Sequence, residues 1–146
     1  MSAAGRAVSP VDVTTVVELT VEIDAPPAAV YDLWTTADGL CAWWGVAASV
    51  DVRVGGSIEV DIDGEHVMIG EFLELDPPHR LAMTFGWRDG ELPPGASTVE
   101  VTFDPRAGGG TTVTLRHAGL PVDFVDSHVR GWAHFLGEPF HRAGSA

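Results

Sequence analysis

The stretch 123–141 (DFVDSHVRGWAHFLGEPFH) constrains this chain more than any other. Phe124, His128, Trp132 and Phe135 follow one another at four, four and three residues, a spacing that puts them on one face of a helix; Val125, Val129 and Leu136 widen the stripe. Such a face has to be covered. Most of the preceding sequence alternates apolar and polar residues with period two, so a long helix laid on an antiparallel sheet buries both apolar surfaces at once.

The alternation begins after an unpatterned, polar segment, residues 1–15, which reads as a disordered tail. Val17, Leu19, Val21 and Ile23 then mark a first strand, and Pro26-Pro27 opens a short helix with Val30, Leu33 and Trp34 inward. A second short helix runs from Thr36 to Trp44, opened by Thr36 or Asp38, with Leu40, Trp43 and Trp44 as its apolar side. Six strands follow. The first spans Ser49 to Val54 with Val50, Val52 and Val54 inward, and the second spans Ser57 to Asp63 with Ile58, Val60 and Ile62 inward. Asp63-Gly64 is a strong hairpin signal and leads into Glu65–Leu75, a strand whose two faces (Val67, Ile69, Leu73, Leu75 against Met68, Gly70, Phe72) are both partly apolar. Leu81, Met83, Phe85 and Trp87 form an aromatic and thioether-rich face. A looser segment, 88–96, then leads to Val99, Val101 and Phe103, and Val113 and Leu115 carry the last strand. The expected architecture is α+β: about seven strands curved around a long C-terminal helix, with two short helices after the first strand, in one domain over residues 16–142.

At 146 residues the chain is long enough for one core burying about 68–70% of its unfolded surface. Its net charge is −13, and all eight of its cationic side chains are scattered Arg, so the charge argues against nucleic acid and anionic membrane surfaces as partners. No segment reaches the roughly 20 apolar residues that span a bilayer. A lone cysteine, Cys41, and the lack of a signal-like start point to the cytoplasm, with Cys41 expected to be a buried, inert thiol.

The motifs VEIDAPPAAVYDLWTTADGLCAWW, VRVGGSIEV, GEFLELDPPHRLAMTFGW, STVEVTF, GGGTTVTLRHAGLP and HVRGW stand in this order over roughly residues 16–136. Together they resemble the SRPBCC superfamily, the helix-grip fold of START domains and the birch-pollen allergen. Within it they resemble the family named after the activator of the ninety-kilodalton heat-shock-protein ATPase. The resemblance implies a hydrophobic cavity between sheet and C-terminal helix. Its members include lipid and small-molecule binders, polyketide cyclases and chaperone activators, so the fold alone does not choose a function.

Trp43, Trp44, Met68, Phe72, Met83, Phe85, Trp87, Phe124, His128 and Trp132 are the candidates for lining that cavity. Aromatic and Met side chains offer an apolar ligand large polarisable area at low rotamer cost, and four of the five Trp lie outside the first helix. His128 is the best polar candidate, as a hydrogen-bond donor or base toward a bound carbonyl or phenol, with His66 and His117 as second members. Glu71 becomes an acid or base only if the Val67 face is the buried one. His128, His134 and His141 lie six and seven apart, which does not suit a helical metal site, and the sequence calls for no cofactor. The leading expectation is a binder of a small hydrophobic, aromatic or lipid-like molecule. A polyketide cyclase or dehydratase using His128, or a chaperone-activating interaction module, stands beside it. Edge strands and the helix leave surfaces open for a homodimer.

Overall fold

The computed structural model describes residues 16–145, so the tail expected over residues 1–15 lies outside the described residues. Strand β1 (Val17–Ile23) is followed by helices α1 (Pro27–Thr35) and α2 (Ala37–Trp43). Strands β2 (Ala47–Val50), β3 (Ser57–Asp61), β4 (Val67–Asp76), β5 (Arg80–Trp87), β6 (Ser97–Pro105) and β7 (Thr111–Ala118) come next, then helices α3 (Val122–Phe135) and α4 (Glu138–Ser145). The strands form one seven-stranded antiparallel sheet in the order β1-β7-β6-β5-β4-β3-β2. This is the expected α+β fold: a curved sheet, two short helices after the first strand and a long C-terminal helix.

Local chemistry explains the joints. Pro27 at the start of α1 has no N–H to leave unpaired. Thr36 ends α1 and caps α2, since its Oγ1 accepts from Gly39 N–H and donates to Asp32 O, each at 2.9 Å. Thr36→Ala should therefore cost about 1 kcal/mol in urea unfolding while Thr36→Ser restores most of it. Gly64, at φ 92°, occupies the left-handed position of the β3–β4 hairpin, where the Asp63 carboxylate accepts from the N–H groups of Glu65 and His66.

Three expectations need correction. β2 stops at Val50, because Arg53 N–H turns back to Asp51 O (2.9 Å) and Gly56 N–H to Arg53 O (2.8 Å); Val52 and Val54 are thus 49% and 63% exposed instead of inward. The terminal helix does not run unbroken to residue 141. Leu136 N–H still reaches Trp132 O (2.8 Å), but Gly137 N–H reaches only His134 O (3.2 Å), and Pro139 has no N–H for the Phe135 carbonyl. The chain bends there and α4 folds back on α1, α2 and β1, so that Phe140 is fully buried beside Trp34 and Trp43. Cys41 is exposed, on the side of α2 opposite Leu40 and Trp43.

The two-faced strand β4 resolves in favour of Met68, Gly70 and Phe72, which are buried, whereas Glu71 and Leu73 are exposed. One core joins these residues to the inner faces of β3, β5, β6 and β7, to α1 and α2, and to Trp132, Leu136 and Phe140. Helix α3 has its most extensive backbone approach to the sheet at β1. Over β5 it is held off by the rings of its own side chains, and that gap becomes the site.

Candidate functional site

Between α3 and the far end of β5 lies a cleft of about 410 Å³, open to solvent on one side and lined by Trp44, His66, Phe85, Trp87, Ser127, His128, Gly131, Trp132 and Phe135. Each wall follows from local structure. Phe85 and Trp87 stand on the inward side of β5, whereas Ser127, His128, Gly131, Trp132 and Phe135 are the turns of α3 that face it. Trp44 closes the floor from the end of α2, and His66 reaches the rim from the β3–β4 hairpin. Gly131 is the one α3 position in the wall without a side chain, and a Cβ added there would meet nothing within 4 Å.

The ring system is continuous. Trp44 lies 5.2 Å from Trp132 and 6.3 Å from Phe85, and Phe85 lies 5.3 Å from Trp87 in an edge-to-face contact. Behind them Trp34 and Trp43 stack on Trp132 and Trp44 at 6.2 and 5.2 Å.

Two hydrogen-bonded chains thread this aromatic wall. Trp132 Nε1–H donates to His117 Nδ1 at 3.0 Å, His117 Nε2 meets Ser97 Oγ at 2.8 Å, and Ser97 Oγ donates to Phe85 O at 2.8 Å. An indole can only donate, so His117 carries its proton on Nε2 and gives it to Ser97. In the second chain Trp87 Nε1–H donates to His128 Nε2 at 3.2 Å, and His128 Nδ1 gives its proton to Phe124 O at 2.8 Å. Each imidazole is neutral and spends both nitrogens.

Their environment enforces that neutrality. Burial, and secondarily the neighbouring His128, holds the His117 pKa down to about 3. His128, its ring 5.5 Å from that of His117, is also shifted down by burial, partly offset by the Phe124 carbonyl. His66 is opposite in kind. Its exposed ring is held by Asp63 at 2.7 Å, which raises its pKa, while the N–H groups of His66 and Glu65 and the His66 ring bring Asp63 down to about 2.

Of the ten candidate residues, Trp44, Phe85, Trp87, His128 and Trp132 line the cleft. Trp43, Met68, Phe72 and Met83 are buried in the core instead, and Phe124 packs against that core one turn before His128. Sequence reasoning placed His66 and His117 only as second members, put Phe135 on the apolar stripe but not in the cavity, and missed Ser127 and Gly131. Helical spacing from Trp132 and His128 would have found both, since Ser127 and Gly131 are four apart beside that stripe. Glu71 is exposed and far from acid or base duty in the cleft. Among the described residues no cluster of three or more His, Cys, Asp or Glu is gathered for a metal, and no helix is long and apolar enough to cross a membrane.

The family model of activator of Hsp90 ATPase homolog 1-like proteins matches residues 24–142, from the turn after β1 into α4. The chain belongs to this family. Among solved structures it is 39% identical to the AHSA1-like protein from Rhizobium etli, with a TM-score of 0.69 over 88% of this chain and 81% of that one. An Hsp90 activator from Plasmodium falciparum is 25% identical, with a TM-score of 0.67 over 84% and 91% of the two chains. A putative protein of the dynemicin biosynthetic locus is also 25% identical and superposes at a TM-score of 0.75 over 88% of this chain, which spans 46% of that larger one. No curated protein matches the sequence.

Proposed function

We propose that this member of the family binds a small hydrophobic or aromatic molecule in the cleft between β5 and α3. One observation carries the reading. A chain with 21 Asp and Glu places none of those among the described residues in the wall of a 410 Å³ cleft, and fills that wall with Trp44, Phe85, Trp87, Trp132 and Phe135. A cleft of this size and lining suits a ligand of two or three fused or linked rings. Turnover is less well supported, because the polyketide-cyclase reading needs His128 as a base and both its nitrogens are already occupied. The lone, exposed thiol of Cys41 accords with a reducing, cytoplasmic setting.

The test is a titration with the uncharged probe N-phenyl-1-naphthylamine, chosen so that the net charge of −13 does not decide the result. Saturable probe fluorescence is expected with the native chain. Gly131→Trp should fill the cleft from α3, weaken binding by at least about tenfold and, by replacing a helical glycine, raise stability by about 0.5 kcal/mol. Equal binding by native and variant protein would place the probe elsewhere.

A second reading has its own observation. Val52, Val54 and Leu73 are exposed by 49, 63 and 45%, and Gly55 N–H to Phe72 O (2.8 Å) brings Val54 and Leu73 to the same corner of the sheet. An apolar corner at the end of β3 and β4 opposite the turn that carries His66 fits a protein partner, as expected of a chaperone activator. Replacing Val54 and Leu73 by Thr and measuring ATPase stimulation of an Hsp90-type chaperone tests it; no stimulation by the native chain would end this reading.

A further inference from the structure

We propose that the ligand of the cleft is an uncharged aromatic molecule bearing a carbonyl, and that His66 Nε2 donates a hydrogen bond to that carbonyl at the rim. This rests on the cleft being a binding site, as argued above.

The polar groups of the cleft decide its chemistry by elimination. Both nitrogens of His128 are spent, the indole N–H groups of Trp87 and Trp132 are given to His128 and His117, and Ser127 Oγ donates to Phe124 O at 3.0 Å. Ser127 Oγ keeps only acceptor lone pairs, so a carbonyl set at depth, against the rings, would be buried without a donor. His66 differs. Its Nδ1 is tied to Asp63 Oδ2, which fixes the ring, and Nε2 has no partner among the described residues. The same side chain lines both the cleft and a more polar depression beside it formed with Glu65, Trp87, Arg88, Asp89 and Gly90, so it stands where the aromatic wall gives way to charged groups.

With Nδ1–H given to Asp63, protonation of His66 occurs at Nε2 and converts that atom from acceptor to charged donor, a change Asp63 favours. The charges around it choose the head group. Asp63 and Glu65 belong to its own hairpin, Asp89 and Arg88 face it across the depression, and Arg88 is already bound to Glu59 at 2.9 Å. Anions thus outnumber free cations at the rim, and the whole chain carries −13. A carboxylate would be repelled, whereas a neutral carbonyl keeps the hydrogen bond without that penalty.

The experiment compares 2-acetylnaphthalene with its isostere 2-isopropenylnaphthalene by calorimetric titration of native protein, His66→Ala and Gly131→Trp. His66 is exposed, so its removal leaves the core intact. His66→Ala should weaken the ketone about fivefold and the alkene less than about twofold. The ketone's affinity for native protein should fall as rising pH deprotonates His66, while the alkene's stays flat. Equal losses for both probes, an unchanged ketone, or tighter binding of 2-naphthoate than of the ketone at low salt would each overturn the assignment. If neither naphthalene binds native protein, the binding reading falls and this one with it; if both bind but Gly131→Trp blocks neither, the probes sit outside the cleft and the role of His66 is refuted.

Discussion

Acidification from pH 6.5 to 4 should cost the folded protein about 3 kcal/mol through His117 alone. The unfolded imidazole titrates at 6.5 and the folded one at about 3, so between those values the unfolded state binds a proton that the native state refuses. Stability therefore rises with pH across the window, by about 1.4 kcal/mol per unit, and the contribution of His117 levels off above about pH 7.5, where both states are neutral. His128, also shifted down, adds to the slope in the same direction. The cause is burial reinforced by geometry. Nδ1 of His117 faces an indole that can only donate, and a proton placed there would oppose the Trp132 N–H at 3.0 Å. Urea unfolding at intervals from pH 4 to 7.5 measures the slope, with His117→Gln as the comparison, because an amide can accept from Trp132 and donate to Ser97 without titrating. The variant should lose about one proton's worth of pH dependence. Parallel slopes would acquit His117.

That network was only half legible beforehand. Val113, Leu115 and His117 share one side of a strand by simple alternation, so an inward His117 followed from the sequence. Its partners did not. Ser97 meets it because β6 pairs with β7 in a register that sets Val99 opposite His117, and Trp132 meets it because α3 crosses that end of the sheet. Both are long-range facts, and no local pattern encodes them. His128 shows the opposite limit: its place on the apolar stripe was readable, but its Nε2 is spent on Trp87, 41 residues away.

The fold was more readable than the site for a related reason. Period-two alternation located the strands and helical spacing located α3, because each depends on neighbours a few residues apart. The failures came where a local pattern was overruled. Val52 and Val54 keep the alternation of β2 but follow the point at which Arg53 turns back on Asp51, and Pro139 ends a stripe that hydrophobicity alone would have continued. β4 was ambiguous because both of its faces carry apolar residues; the hairpin register, pairing Val60 with Met68 on the buried side, decides it. Which aromatic residues line the cleft depends on where α3 stands off the sheet, so Met68, Phe72 and Met83 fill core while Phe85 and Trp87 farther along face the gap.

Trp132 is where packing, hydrogen bonding and the cleft converge, and its two substitutions separate these roles. It is 3% exposed, contacts Trp34, Trp44 and Phe85, and donates to His117. Trp132→Ala should cost about 4 kcal/mol, through lost burial and the cavity left among four aromatic rings, and should abolish probe binding. Trp132→Phe retains much of the ring surface but removes the donor, leaving His117 Nδ1 buried without a partner, at a cost of about 1–3 kcal/mol at pH 7. The two losses should behave differently in acid. With no indole N–H opposing it, His117 in the Phe variant accepts a proton at Nδ1 more readily, so its folded pKa moves back toward the ordinary range and the acid-dependent loss of stability shrinks. The gap between native protein and Trp132→Phe should therefore narrow as the pH falls toward 4.5. Urea midpoints at pH 7 and 4.5 decide it: a gap independent of pH would mean that the Trp132–His117 bond does not hold the imidazole neutral, and that the acid sensitivity has its origin in burial and the neighbouring His128.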